Sequence, residues 1–210
     1  MKEQQLELEL TPNSFEKICD LSNLQAAFKS VKKNKGAPGI DGVTIEEYEE
    51  NLIEELGQLR QEVLSWTYNP AAVRRVEIPK PGGKGVRLLG IPNVRDRVLP
   101  MAIKRVLEPT IDPTFSNNSY GFRPGRNQRQ AIEAAQRIVQ SGKEYTVDID
   151  LSKFFDRINH DRLIYRLKSH VKETRVLRLI GSTLRSGVVS DGNLIPSTEG
   201  SVYGPVRTVL

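Results

Sequence analysis

The sequence predicts an α+β fold, and three observations carry that expectation. Apolar residues recur at helical spacing in five segments, two alternating segments at 73–78 and 86–91 flank a Pro/Gly-rich turn, and a third alternating segment spans 145–150. Spacing of three to four places apolar side chains on one face of a helix, and spacing of two places them on one face of a strand. The 210 residues, 38% hydrophobic and 27% charged, are ordinary for a soluble globular protein and give room for one generous domain or two small ones. No apolar run approaches the roughly eighteen residues that a membrane span needs. The start Met1-Lys2-Glu3-Gln4-Gln5 lacks the apolar core of a signal peptide, so a cytoplasmic location is expected. Cys19 stands alone, which excludes a disulfide within the chain, and with only His160 and His170 beside it makes a poor zinc set.

Taken in order, Leu24, Phe28 and Val31 mark a helix within 14–33, or two helices divided near Asp20, with Asn13 or Ser14 as cap and Gly36 as stop. Asn34 to Gly42 packs three glycines and a proline into one loop, the composition of a linker or of a loop that approaches a ligand closely. Residues 44–65 read as an acidic helix with the core stripe Tyr48, Leu52, Leu56, Leu59 and Val63. The segments 73–78 and 86–91 read as a hairpin with a long basic tip, Lys80 and Arg87 lying near its opposite stems. Asp96 is the expected cap of a buried helix through Val98, Met101, Ala102 and Val106, ended by Pro109 and Pro113. Asn127 caps a helix bearing Ala131, Ala135 and Ile138, and Asn159 or Asp161 opens one with Leu163, Leu167 and Val171.

Charge is distributed unevenly. Residues 1–70 hold seven Lys/Arg against thirteen Asp/Glu, whereas residues 71–129 hold twelve against four. A cationic block gains affinity for polyanions by releasing condensed counterions, and it is equally the composition of a solvated basic face. Within it, Tyr120-Gly121-Phe122-Arg123-Pro124-Gly125-Arg126 sets aromatic rings among arginines. Rings stack on bases while guanidinium groups pair with phosphates, although a surface turn uses the same residues. In the strand 145–150, Tyr145, Val147 and Ile149 occupy one face and Thr146, Asp148 and Asp150 the other. Two carboxylates on one face repel in a packed interior, so that face suits solvent or a divalent cation. A strand end followed by an Asp turn fits the same letters.

Five segments together resemble the reverse transcriptase of group II introns, the intron-encoded RNA-directed DNA polymerase and maturase. They are Lys35 to Gly42, Ile78-Pro79-Lys80-Pro81, Leu89-Gly90-Ile91-Pro92 with Arg95-Asp96-Arg97, Ser119 to Arg126, and Asp150-Leu151-Ser152-Lys153-Phe154-Phe155-Asp156, in the family's order over residues 24 to about 200. The resemblance implies the fingers and part of the palm of a right-hand polymerase. It divides the chain into an N-terminal extension at 1–23, fingers at 24–140 and a partial palm at 141–210. It also implies partners and a cofactor: an RNA template or intron RNA, a DNA primer, a dNTP and Mg2+, with no membrane.

By the same resemblance Asp150 matches the first catalytic, metal-binding aspartate, with the backbone of Leu151 beside it as a metal ligand. Phe155 matches the ring beneath the incoming sugar that selects deoxynucleotides, and Lys80 and Arg87 the pair that grips the triphosphate. Arg123 and Arg126 match template or backbone contacts, with Tyr120 and Phe122 as stacking or packing partners. Lys35 and Gly36 belong to the loop that embraces the template end. Asp148 and Asp156 are read as local hydrogen-bonding residues outside the metal set. The family continues with a Thr-Pro-Gln-Gly-Gly segment and a Tyr-Ala-Asp-Asp turn carrying the remaining catalytic aspartates. This sequence runs Ser201 to Leu210 at that place and contains no Asp-Asp pair. The expectation is a reverse-transcriptase fold truncated before the second aspartate motif, catalytically incomplete as this chain alone. A non-catalytic intron RNA-binding module is the alternative, and a retron-type or defence-associated relative is disfavoured by the loop and arginine motifs.

Overall fold

The computed structural model of the chain describes residues 13–80, 82–83, 85–152, 154–190, 193–197 and 199–200. Most of the expected N-terminal extension and the last ten residues lie outside the described residues, as does the side chain of Arg87. The first expected helix is two: α1 (Ser14–Cys19) and α2 (Leu21–Lys33), with Asp20 accepting a hydrogen bond from the Ser22 amide at 2.8 Å as the cap of the second. Gly36 does not supply the stop. The helix ends at Lys33, and Lys35 takes the left-handed turn at φ 47°. The acidic segment likewise breaks at Asn51 into α3 (Ile45–Glu50) and α4 (Leu52–Leu64), the former opened by a Thr44/Glu47 capping box.

β1 (Val73–Pro79) and β2 (Val86–Ile91) form the expected antiparallel hairpin, registered Arg74 to Ile91 and Ile78 to Arg87. α5 (Val94–Ile111) follows. Asp96 is not its cap: Asn93 holds that position, and Asp96 lies in the first turn, buried. Nor does Pro109 end the helix, which contains both Pro100 and Pro109 and passes at Asp112 into a 3-10 turn, Asp112–Thr114. α6 (Gln128–Gln140) carries an Asn127/Gln130 capping box, and α7 (His160–Leu167) is capped by Asn159, which accepts from the Arg162 amide at 2.9 Å. Three elements had no clear sequence signal: α8 (Thr174–Leu184), β3 (Val188–Ser190) and β4 (Asn193–Ile195). The sheet order is β2-β1-β3-β4, with β1 and β3 parallel and the other pairs antiparallel.

The core is helical. Phe15, Ile18, Leu24, Phe28, Leu56, Leu59, Leu99, Ile103, Ile180 and Leu184 interdigitate between α1, α2, α4, α5 and α8. At roughly 1.5–3 kcal/mol for each large apolar side chain taken fully out of water, this cluster is the main source of stability. Chain 199–200 returns to the start of α7: the Gly200 amide donates to Ile158 O at 2.7 Å, and buried His160 shares a 2.6 Å hydrogen bond with Gly200 O. Gly200 has φ +81°, and a Cβ there would stand 2.8 Å from Asp156 O, so the return needs glycine.

The largest departure from the sequence reading is 145–150. Its letters alternate as a strand, yet no strand forms there among the described residues, and both its faces are exposed. A strand exists only through a neighbour that takes its backbone hydrogen bonds, and alternation specifies faces without supplying that neighbour.

Candidate nucleotide and nucleic-acid surface

Residues 34–42 connect α2 to α3, and three side chains fasten their backbone to the sheet and α5. Arg74 donates to Pro38 O at 2.8 Å, and Arg97 donates to Pro92 O at 2.9 Å and to Ala37 O. Asn93 Oδ1 accepts from the Ile40 amide at 3.0 Å and the Asp41 amide at 3.4 Å in place of capping its own helix. Gly39 is buried against Asn93, where a Cβ would lie 2.6 Å from the Asn93 backbone, so only glycine permits the approach. Burial pulls the Arg97 pKa below its ordinary value. Lys35 and Gly36 sit exposed at the start of this fixed loop. Arg74, Asn93 and Arg97 went unassigned in the sequence reading, because an Asn just before a helix reads as a cap and arginines in a basic block read as surface.

At the hairpin the ladder places Arg87 opposite Ile78, two residues before Lys80, so both basic positions lie at the tip end. Lys80 is exposed, and its amide donates to Gly85 O at 3.0 Å to close the turn.

The arginines of the 112–126 loop divide sharply. Arg123 makes two hydrogen bonds to the Asp112 carboxylate, at 2.8 and 3.2 Å, and others to the carbonyls of Asp112, Ser116 and Ser119 at 2.9, 2.7 and 3.1 Å. Its side chain is only 7% exposed, so its donors organise the loop. The Arg123 guanidinium in turn holds the Asp112 carboxyl below the usual carboxylate range. Arg126 lies over the Tyr120 ring at 5.4 Å, and Phe122 stands out in a left-handed conformation, φ 56°, its ring 81% exposed. A bulky residue with positive φ is unusual, and here it turns an aromatic ring to solvent.

Asp150 is exposed at the end of 145–150. Phe155 opens the 3-10 turn Phe155–Arg157, partly exposed, its ring edge-on to Phe154 at 5.4 Å. Among the described residues no hydrogen bond, ion pair or ring contact joins Asp150 to Lys80 or to Phe155. Nor does any group of three or more His, Cys, Asp or Glu among them gather as a metal set. Magnesium keeps several waters and takes one or two carboxylates together with substrate phosphates, and Asp150 with the neighbouring Leu151 carbonyl would supply part of such a set. No helix among them is long and apolar enough to cross a membrane.

A helical core bearing a basic hairpin, a fastened glycine loop and an exposed Asp-to-Phe turn defines the fingers-and-palm class of polymerase fold. The partial Cas6-RT-Cas1--Cas2 complex shares that fold, with a TM-score of 0.55 and 21% identity over 90% of this chain and 32% of that one. Residues 78–203 match the family Reverse transcriptase (RNA-dependent DNA polymerase), and the chain belongs to it. Protein YkfC of Escherichia coli is 35% identical over 193 residues, 89% of this chain and 50% of its own length. The group II intron-encoded protein LtrA of Lactococcus lactis is 30% identical over 186 residues, 88% of this chain and 30% of its own. This chain thus spans half or less of the curated relatives it matches, and its likeness to them is of the group II intron type.

Proposed function

We propose that this chain supplies the template- and nucleotide-facing part of an RNA-directed DNA polymerase of group II intron type, and that as an isolated polypeptide it binds RNA without extending a primer. The observation that carries this reading is the pairing of a family match through Asp150 and Phe155 with the lack of a metal-holding cluster among the described residues. In the reading, Asp150 is one anchor of a site for Mg2+, whose chemistry when bound is the neutralisation of phosphate charge. Phe155 bounds the sugar pocket, and its bulk opposes a 2′ hydroxyl. Lys80 and Arg87 hold the triphosphate, while Lys35, Gly36 and Arg126 follow the template, an RNA paired with a DNA primer. Arg123 acts through the loop it ties together.

Primer extension on an RNA template with dNTP and Mg2+ tests the proposal: no incorporation is expected from the chain alone. Incorporation lost in Asp150→Ala would contradict the inactivity. A second reading, an intron RNA-binding module of maturase type, is favoured by the basic excess over 71–129, the exposed Phe122 and the Arg126–Tyr120 pair. Both readings expect RNA affinity that falls steeply with salt. They part when the rest of a relative's chain is added: restored extension supports the polymerase, and unchanged binding with no extension supports the module.

A further inference from the structure

We infer that the groove between residues 66–72 and the outer face of α8 binds a single-stranded segment of nucleic acid, stacking a base on the Arg178 guanidinium and seating a phosphate at Arg185. None of the residues assigned above to metal, nucleotide or template lines this groove. Every outward position of α8 after Thr174 is arginine or serine: Arg175 and Arg178 are exposed, Ser182 is half-buried, and the C-cap Arg185 is exposed. Steps of three and four residues set them in one row along the helix. Arg175 is engaged within the protein, ion-paired to Glu16 and Glu173 and lying over Phe15. Arg178 and Arg185 have no ion pair among the described residues. The opposite wall runs beside this row. The Arg178 guanidinium lies over the Trp66 ring at 4.3 Å, and Asn69 to Ala72 meet Ser182, Arg185 and Ser186 around a cavity of about 450 Å³. The Val73 amide then donates to Gly187 O at 3.1 Å. Chain 66–73 thus follows α8 from its middle to its end.

Two features of the far end point to a phosphate. Gly181 is buried inside α8, where glycine is a poorer helix former than alanine. The atoms nearest to a Cβ there would be those of the Arg185 guanidinium, with Nη2 at 3.1 Å and Nη1 at 3.4 Å. The missing side chain therefore lets that guanidinium lie back along the helix at the cavity. The Ser186 hydroxyl, in the wall of the same cavity, is buried without a hydrogen-bond partner among the described residues. A buried hydroxyl left so is costly. A phosphate takes two parallel hydrogen bonds from the guanidinium fork and offers the serine an acceptor. At the near end, Trp66 is stacked on Phe15 at 5.3 Å and carries the Arg178 plane, a platform of the kind on which unpaired bases stack. A duplex keeps its bases stacked on one another, and an acidic peptide would leave that platform unused.

Trp66 is the single tryptophan of the chain, so its fluorescence reads this groove and no other part of the protein. The probe is a single-stranded oligoadenylate of about six nucleotides, as RNA and as DNA, titrated into the 210-residue protein at several salt concentrations. A saturable change in fluorescence is expected, with an affinity that falls as salt rises. Arg185→Ala should weaken binding at least about tenfold, the loss expected of a charge-assisted hydrogen bond. Gly181→Ala leaves the net charge unchanged and displaces the guanidinium, and should weaken binding at least about threefold. Arg185→Lys keeps the charge without the fork and should fall between the parent and Arg185→Ala. Arg126→Ala should leave the affinity read at Trp66 unchanged, so that failure of the template assignment and failure of this one are told apart. Tighter binding of RNA than of DNA would add a contact to the 2′ hydroxyl, and equal binding would assign recognition to base and phosphate; both support the site. Absence of a fluorescence change, whether or not anisotropy detects the oligonucleotide bound elsewhere, overturns the inference. So does an affinity indifferent to both Arg185→Ala and Gly181→Ala, or an equal response to polyglutamate, which would assign the groove to an acidic polypeptide.

Discussion

Asp96 shows how a single residue can be misassigned by a local rule. It stands where a helix cap is expected, yet it is 2% exposed and accepts hydrogen bonds from Tyr68 Oη at 2.7 Å and the Ala71 amide at 3.2 Å. Burial raises its pKa, opposed by those two hydrogen bonds. Tyr68→Phe removes a donor from a buried carboxylate, and a loss of about 1–3 kcal/mol in unfolding free energy by urea titration is expected. The sign of the pH effect follows from the raised pKa. The contribution of Asp96 to stability is full below the unfolded carboxyl value, about 3.9, and is lost as pH rises through the folded one. The Phe variant, with the carboxylate less well satisfied, should therefore lose more stability at pH 7 than at pH 4. An equal loss at both would show that Tyr68 acts by packing. Cys19 makes a second case: burial pushes its thiol up to about 11. The thiolate is the reactive form, so alkylation by iodoacetamide at pH 8 should be far slower for the folded protein than for the protein in urea.

At the scale of elements, legibility tracked whether a signal was local. Helices α2, α4, α5, α6 and α7 follow from apolar spacing, and the caps Asp20, Thr44, Asn127 and Asn159 are all residue types that favour the role. The hairpin follows from its flanking alternation. What the letters left out depends on contacts distant in sequence: β3 joins β1 through parallel pairing of Val188 with Val73 and Val189 with Arg74, and among the described residues 145–150 has no strand neighbour. Of the site, the exposed turn from Asp150 to Phe155 and the basic hairpin were legible. The fastening of 36–42 by Arg74, Asn93 and Arg97 was not, because side-chain hydrogen bonds to a far loop leave no periodic trace. Gly39→Ala tests that fastening. With 2.6 Å between its Cβ and the Asn93 backbone, the loop or α5 must shift, at a cost of about 1–3 kcal/mol in unfolding free energy. The Asp112–Arg123 clip is the corresponding device in 112–126. Because the Asp112 pKa is depressed, the clip contributes above the unfolded carboxyl value and is lost as pH falls through the folded one. Arg123→Ala should abolish protection of the Ser119 amide, which donates to Ser116 O at 3.0 Å, and should remove the acid dependence of that protection.

The whole molecule divides into a consolidated body and an excursion. The body is one apolar cluster spanning α1, α2, α4, α5 and α8, beside which Val73 of β1 and Val188 of β3 form a small buried cluster of their own. The excursion, α6 and residues 143–151, contributes no buried side chain to that cluster, and at 145–150 its backbone lies outside the sheet. Stability in such a chain is not uniform, since amides open with free energies ranging from near zero in unpacked segments to the global value in the core. Hydrogen exchange of the isolated protein should therefore show α2, α5 and α8 exchanging only through global unfolding. Amides of 145–150 should exchange at close to unprotected rates, and α6 should fall between. Arg178→Ala, which removes the guanidinium 4.3 Å above the Trp66 ring on the outside of the core, should lower protection in the body while leaving that of the excursion unchanged. The measurement discriminates because a single cooperative unit would lose protection everywhere together. Protection of 145–150 equal to that of α5 in the monomer would mean that the segment already has its strand partner.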